Sequence, residues 1–271
     1  MLKKTDLQTM ENALCALLGL TRRPVGVRRL QTAADYEASK AVEPKGGLPY
    51  CTAVAKAGAK GRSYKLDSRH NCCGSSSVAF GMLPITEERA SGKLHAGFKV
   101  YQNQDISRQV MDDMVYCEGE SYGVEVCPLA ECNAEPEVVL IIAPAKAIMR
   151  LVQGYAYRLG QLKDIKMAGM CAICQECTSY PIVRGHANVS LLCSGTRCVG
   201  CWQENELAMG IPSNQLASVI YGVWHTVDPM EPEAAKRQIA ERLQKRSLPA
   251  PSINYKKNYY TDVYGAPKSD K

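Results

Sequence analysis

The 271-residue sequence has no apolar run near the ~18 residues that a membrane-spanning helix needs, so it offers no candidate for such a span. An export signal is also missing from its start: Asp6 and Glu11 interrupt the apolar positions, and Arg22-Arg23 follow them. Leu7, Met10, Leu14, Leu17 and Leu18 recur at helical spacing, which predicts an amphipathic opening helix instead. The expected setting is therefore a soluble protein in the reducing cytoplasm, where thiols stay free or bind metal. Phe and Trp are scarce, two of each against fourteen Tyr, which predicts a mainly aliphatic core. No phosphate-binding glycine loop, nucleotide fingerprint or Ser–His–Asp pattern is present. There are only four His. His70 and His186 lie near cysteines, and an ordinary surface or core role is the first reading for each.

What is present is ordinary globular composition, 46% apolar and 22% charged, with thirteen cysteines. A chain of this length buries a full core without disulfides. The net charge is +6, and residues 231–271 contribute nine Lys and Arg against five Asp and Glu. That excess reads as a solvated helix and tail. No basic stripe with interleaved aromatics suggests nucleic acid elsewhere, and no membrane partner is expected.

Pro24 to Leu30 reads as a strand, Ala33 to Lys40 as a short helix or loop, and Cys51 to Lys60 as a small-residue helix. Ser75 to Met82 and Asp105 to Val115 have helical character; Thr86 to Tyr101 is polar, and Cys117, Cys127 and Cys132 fall in a loop. Glu137 to Pro144 is a strand whose unbroken apolar run implies burial on both faces, as in a parallel or mixed sheet. Ala145 to Leu159 is a helix ended by Gly160. Glu233 to Lys245 is a charged helix, and Ser247 to Lys271 an extended tail. The expected fold is α/β, a mixed sheet with flanking helices. Residues 1–230 form one domain and residues 231–271 a terminal helix and tail.

The two halves, 1–104 and 105–230, echo each other. In the first, a strand precedes Cys51, then Cys72-Cys73-Gly74-Ser75, then Gly81 and Pro84. In the second, a strand precedes Cys171 and Cys174, then Cys193-Ser194-Gly195, then Gly210-Ile211-Pro212. Cys51 to Cys72 spans 21 residues and Cys171 to Cys193 spans 22, which suggests pseudo-symmetric halves with a Cys-rich metal region in the second.

Cys171-x2-Cys174-x2-Cys177 has the opening spacing of a bacterial ferredoxin motif, although Pro181 follows with no fourth Cys at that step. Cys193-x4-Cys198-x2-Cys201 has plant-type spacing. With Cys51 and one of Cys72 and Cys73, these six give eight ligands, enough for two four-iron clusters. Arg197 is placed to donate hydrogen bonds to cluster sulfides or an anionic substrate. Zinc is the alternative: Cys174-x2-Cys177 and Cys198-x2-Cys201, with 20 residues between them, match paired zinc knuckles. A redox dithiol is a further one. Cys15 reads as a core residue, and Cys117, Cys127 and Cys132 as free thiols.

Leu18-Gly19-Leu20 with Pro24-Val25-Gly26-Val27, Cys51 followed by Ala53, Ala55 and Gly58, and Cys73-Gly74 followed by Gly81 form one ordered set of motifs. Pro136-Glu137-Val138-Val139 with Pro144, then Cys174, Cys193-Ser194-Gly195-Thr196-Arg197 and Gly210-Ile211-Pro212 continue it. Over roughly residues 10–225 this order resembles the domain-of-unknown-function family 169, the ArCR group. The resemblance implies a prokaryotic, often anaerobic, intracellular protein and no established reaction. This chain is richer in cysteine than the plainer family pattern. The reading reached is an iron–sulfur protein with one or two clusters of the 4Fe–4S type, serving electron transfer or redox chemistry in anaerobic metabolism, with a redox partner protein and a homodimer as default. An enzyme using an open cluster iron on a small substrate and a zinc-stabilised binding or regulatory protein are the alternatives.

Overall fold

The computed structural model describes residues 4–249 and 252–265. The remainder of the expected tail, with Pro251 and Pro267, lies outside them. The strands are β1 (Val25–Leu30), β2 (Tyr64–Asp67), β3 (Gly123–Pro128), β4 (Val138–Pro144), β5 (Asn188–Ser190) and β6 (Glu206–Pro212). The helices are α1 (Lys4–Leu18), α2 (Ala33–Ala38), α3 (Tyr50–Lys60), α4 (Gly74–Ala79), α5 (Glu87–Ala90), α6 (Lys93–Gly97) and α7 (Gln104–Asp113). They continue as α8 (Ala145–Leu159), α9 (Tyr180–Arg184), α10 (Ser194–Gly200), α11 (Ser213–His225), α12 (Val227–Met230), α13 (Glu233–Lys245) and α14 (Tyr259–Tyr264). A π-helix, Ala172–Ser179, runs directly into α9.

The six strands form one sheet in the order β2-β3-β1-β4-β6-β5. Every strand pairing is antiparallel, which corrects the expectation of a parallel or mixed sheet. The apolar run of β4 records burial, not strand direction. Its side chains alternate, Val138, Leu140 and Ile142 entering one core and Val139, Ile141 and Ala143 the other. Helices α1, α8, α11 and α13 supply the second core; α3 and the π-helix contribute to the first.

Residues 123–128 form a buried strand rather than a loop. Glu125 hides it in the sequence. This carboxylate is buried, and it is accommodated by Arg28 at 3.2 Å on the neighbouring strand and by the Ser39 hydroxyl.

The middle of the sheet is the short β1–β4 pairing, Val25 with Leu140 to Val27 with Val138. Outward from it the order is β1, β3, β2 on one side and β4, β6, β5 on the other, and β3 lies beyond residue 104, so the two sides of the sheet do not coincide with the expected halves 1–104 and 105–230. The tail folds back on its own chain. Lys236 is fully buried, and its ammonium donates to the carbonyls of Asn254 (2.6 Å) and Lys257.

One close approach fixes the position of the π-helix. At Gly210, in the middle of β6, a Cβ would stand 1.9 Å from the carbonyl oxygen of Cys177. Only a residue without a side chain lets that helix lie on the sheet. Gly210→Ala is expected to destabilise the protein by about 1–3 kcal/mol, the usual cost of overpacking. Denaturant titration checks this as a lower midpoint at unchanged slope.

Candidate metal centre

Four chain segments bring thiols to one place on the face of the sheet covered by α3, α4 and the π-helix. Helix α3 packs on α10, and α4 packs on the π-helix. Cys51 is the second residue of α3, Cys73 precedes α4, Cys171 precedes the π-helix and Cys193 precedes α10.

Thr196 ties two of these together. Its backbone N–H donates to Cys193 Sγ and its hydroxyl contacts Cys51 Sγ, both at 3.4 Å. Cys51 feels the charges of Cys73, Cys193 and Cys171, and Cys174 those of Cys171, Cys51 and Cys73. Cys51, Cys73, Cys171, Cys174 and Cys193 are therefore one neighbourhood. All are free thiols. Among the described residues no three His, Cys, Asp or Glu side chains stand close enough to hold a single metal ion. The five share a space without forming a mononuclear shell.

The thiols differ in charge state. Burial pushes Cys51 up to about 12 against the hydrogen bond to Thr196. Cys171 and Cys174 act as a pair. The Cys174 S–H donates to Cys171, and Ser75 and the Arg89 cation add to it, so Cys171 falls to about 7 despite its desolvation. Cys174, which keeps the proton, is held well above the usual thiol range by that bond and by burial. Arg89 Nη1 donates to Ser75 Oγ at 2.8 Å, which lines up cation, hydroxyl and Cys171 sulfur. Arg89 lies on α5, in a lid formed by α5, α6 and α7.

The remaining sulfurs named from spacing lie elsewhere. Cys177 is fully buried but turns toward the sheet, where the Gly210 N–H and Ser190 face it. Cys72, Cys198 and Cys201 are exposed. The spacing of Cys193, Cys198 and Cys201 thus spans α10 from one end to the other rather than one side of it. The zinc pairing of Cys174 and Cys177 with Cys198 and Cys201 would need buried and surface thiols to meet. Arg197 is committed as a brace: its guanidinium donates to the carbonyls of Gln203 (2.6 Å), Leu191 (2.7 Å) and Glu206 (2.9 Å). Its two terminal nitrogens are thereby engaged with backbone carbonyls. His70 binds Asp67 at 2.8 Å, and His186 packs edge-on against Tyr180. Cys127 and Cys132 form a hydrogen-bonded pair, Cys132 lying in the core on the opposite face of the sheet; Cys15 and Cys117 are buried singly.

Sequence reasoning missed Arg89, Ser75 and Tyr101. All three lie in or beside polar stretches without a motif. The one local signal is Thr86 followed by Glu87 and Glu88, a helix start that caps the backbone N–H of Arg89.

The family model described as an uncharacterised ArCR, domain of unknown function 169, matches residues 13–222. The chain belongs to this family. An uncharacterized protein of Methanocaldococcus jannaschii is 22% identical over 162 residues, 60% of this chain and 70% of its own length. No solved structure matches. In this ArCR protein the matched span contains all five gathered thiols and Arg89.

Exposure and charge give a reactivity order. In the reduced, metal-free protein, iodoacetamide is expected to modify Cys72, Cys198 and Cys201 first, with Cys51, Cys174, Cys177 and Cys193 protected. Cys171 modification should rise with pH to half its maximum at about 7. Cys174→Ala removes the donor and should move that midpoint up toward the ordinary thiol value of about 8.5. Peptide mass spectrometry across a pH series reads both.

Proposed function

We propose that this protein binds one iron–sulfur cluster, 4Fe–4S in type, in the space shared by Cys51, Cys73, Cys171, Cys174 and Cys193. The observation that carries the reading is the convergence of five unbridged thiols from four separate chain segments beneath one cation. A cubane takes four thiolates, one on each iron, so its ligands spread more widely than those of one zinc ion. Cys51, Cys73, Cys171 and Cys193 are the first candidates because they stand at matching positions of the two halves. Cys174 donates to Cys171 or replaces it as ligand. Loading displaces protons from buried thiols, so uptake is favoured as pH rises.

The mirrored strand order on the two sides of the β1–β4 pairing supports an internal duplication whose boundary falls between β3 and β4, with the cluster near its pseudo-two-fold axis. Arg89 and Ser75 offset the negative charge of the cluster, and both charge and hydrogen bonding set cluster potentials. The role that fits is single-electron transfer within a reducing cytoplasm, delivered to a partner redox protein.

Purification without oxygen, with iron, sulfide and zinc quantified per chain, tests this. The expected preparation is brown, with about four iron and four sulfide per chain. Cys51→Ser or Cys193→Ser should lose most of both, whereas the double variant Cys198→Ser, Cys201→Ser keeps them. A colourless protein with one zinc per chain would replace iron by zinc; neither metal nor sulfide ends the proposal. Arg89→Met should retain iron but lower the reduction potential, because the reduced cluster loses a neighbouring cation. Redox titration followed by paramagnetic resonance measures the shift.

A further inference from the structure

Between the lid and the π-helix lies a cavity of about 350 Å³ that the cluster reading does not use. Gln175 lines it, the residue between Cys174 and Glu176 on the π-helix. Gln175 is 6% exposed, and its Nε2 has no hydrogen-bond partner. Tyr101 lines it from the lid, and its buried hydroxyl is likewise without a partner. Buried polar groups are normally satisfied, so two orphaned donors on one cavity point to a missing acceptor.

The other polar groups here are already engaged. Glu176 accepts from the backbone N–H groups of Ala168 (2.7 Å) and Gly169 (3.2 Å) and from the Ser190 hydroxyl, so it braces the loop rather than facing a ligand. Lys166 pairs with Asp113 at 3.1 Å, so these two charges cancel at the rim. Met114, Met167 and Met170 make much of the remaining wall apolar.

We propose that this cavity binds a small neutral molecule carrying a carbonyl or carboxamide oxygen, held by Gln175 Nε2 and Tyr101 Oη with its apolar part against the methionines. The volume is that of a small-molecule site. Tyr101 lies within electrostatic reach of Cys171 and Cys193, so a bound molecule would sit beside the thiol centre. That this molecule is the substrate of an iron–sulfur enzyme rests on the cluster reading; that it binds does not.

Butyramide, butyrate and butylammonium have similar size and differ in charge and acceptor. Each is titrated into the full chain as purified without oxygen, with binding followed by saturation-transfer NMR. Butyramide is expected to bind, with butyrate and butylammonium about tenfold weaker or more. Tyr101→Phe, which removes only a hydroxyl, should weaken butyramide about fivefold, and Gln175→Leu by a similar factor or more. An unchanged melting temperature shows that each variant is folded. No binding by any of the three, strongest binding by butyrate, or full affinity in a folded Tyr101→Phe protein overturns the proposal. Iron and sulfide are measured on the same samples. Butyramide binding without iron leaves the cavity in place and ends the cluster reading; iron without binding does the reverse.

Discussion

A thiol taken out of water keeps its proton, and this fold takes several out of water together. One buried cysteine is an ordinary small core residue, and Cys15 and Cys117 need no other account: burial pushes them up to about 11 and about 12. The group around Cys51 is different in kind. Its members come from separate segments, lie within electrostatic reach of one another, and include one whose pKa is brought down to about 7 by a hydrogen bond from its neighbour and by a cation. Alanine or valine would fill such a space without any cost when a member ionises. Sulfur there is stable as thiol only while nothing softer than a proton competes for it.

The sheet delivers these thiols by simple means. The β1–β4 pairing joins the two sides of the sheet, and the helix starts that carry Cys51, Cys73, Cys171 and Cys193 lie over the same face. Contacts then cross between halves: α3 with α10, α4 with the π-helix. Gly210 removes the last obstacle by letting the π-helix rest on the strand backbone. A π-helix is more loosely wound than an α-helix and is frequent at functional sites. Here it points Cys174 toward the centre and Cys177 toward the sheet, a division that ordinary helical spacing does not produce.

Much of this was readable from residues alone. The strand at Glu137 to Pro144, the helix after it and the charged helix at Glu233 to Lys245 follow from apolar runs, Gly160 and helical periodicity. A similar spacing relates Cys51 and Cys73 to Cys171 and Cys193 in the sequence. What was not readable depends on tertiary pairing. Glu125 makes β3 look like a loop because its partner Arg28 is 97 residues away. Arg197 sits among cysteines in sequence, yet the carbonyls of Leu191, Gln203 and Glu206 claim its donors. Spacing counted Cys198 and Cys201 with Cys193, but Cys198 lies within α10 and Cys201 at its far end, both exposed where Cys193 is buried.

The surroundings of Cys51 and Cys171 differ, and the difference makes the group of thiols one-sided. Cys51 and Cys171 stand at matching places, yet one is pushed up to about 12 and the other brought down to about 7. Three residues beyond Cys171 lies Cys174, which donates a proton; three beyond Cys51 lies Val54, which has only methyl groups to offer. The β2–β3 connection carries α5, α6 and α7 as well as α4, whereas the β5–β6 connection holds only α10. Arg89 and Ser75 thus face Cys171, and Cys51 has only Thr196. The same lid supplies Tyr101 and closes the cavity against Gln175. A symmetric pair of halves would give a centre with two equal approaches. The lid leaves one side packed and gives the other a cation, a thiolate and room for a guest.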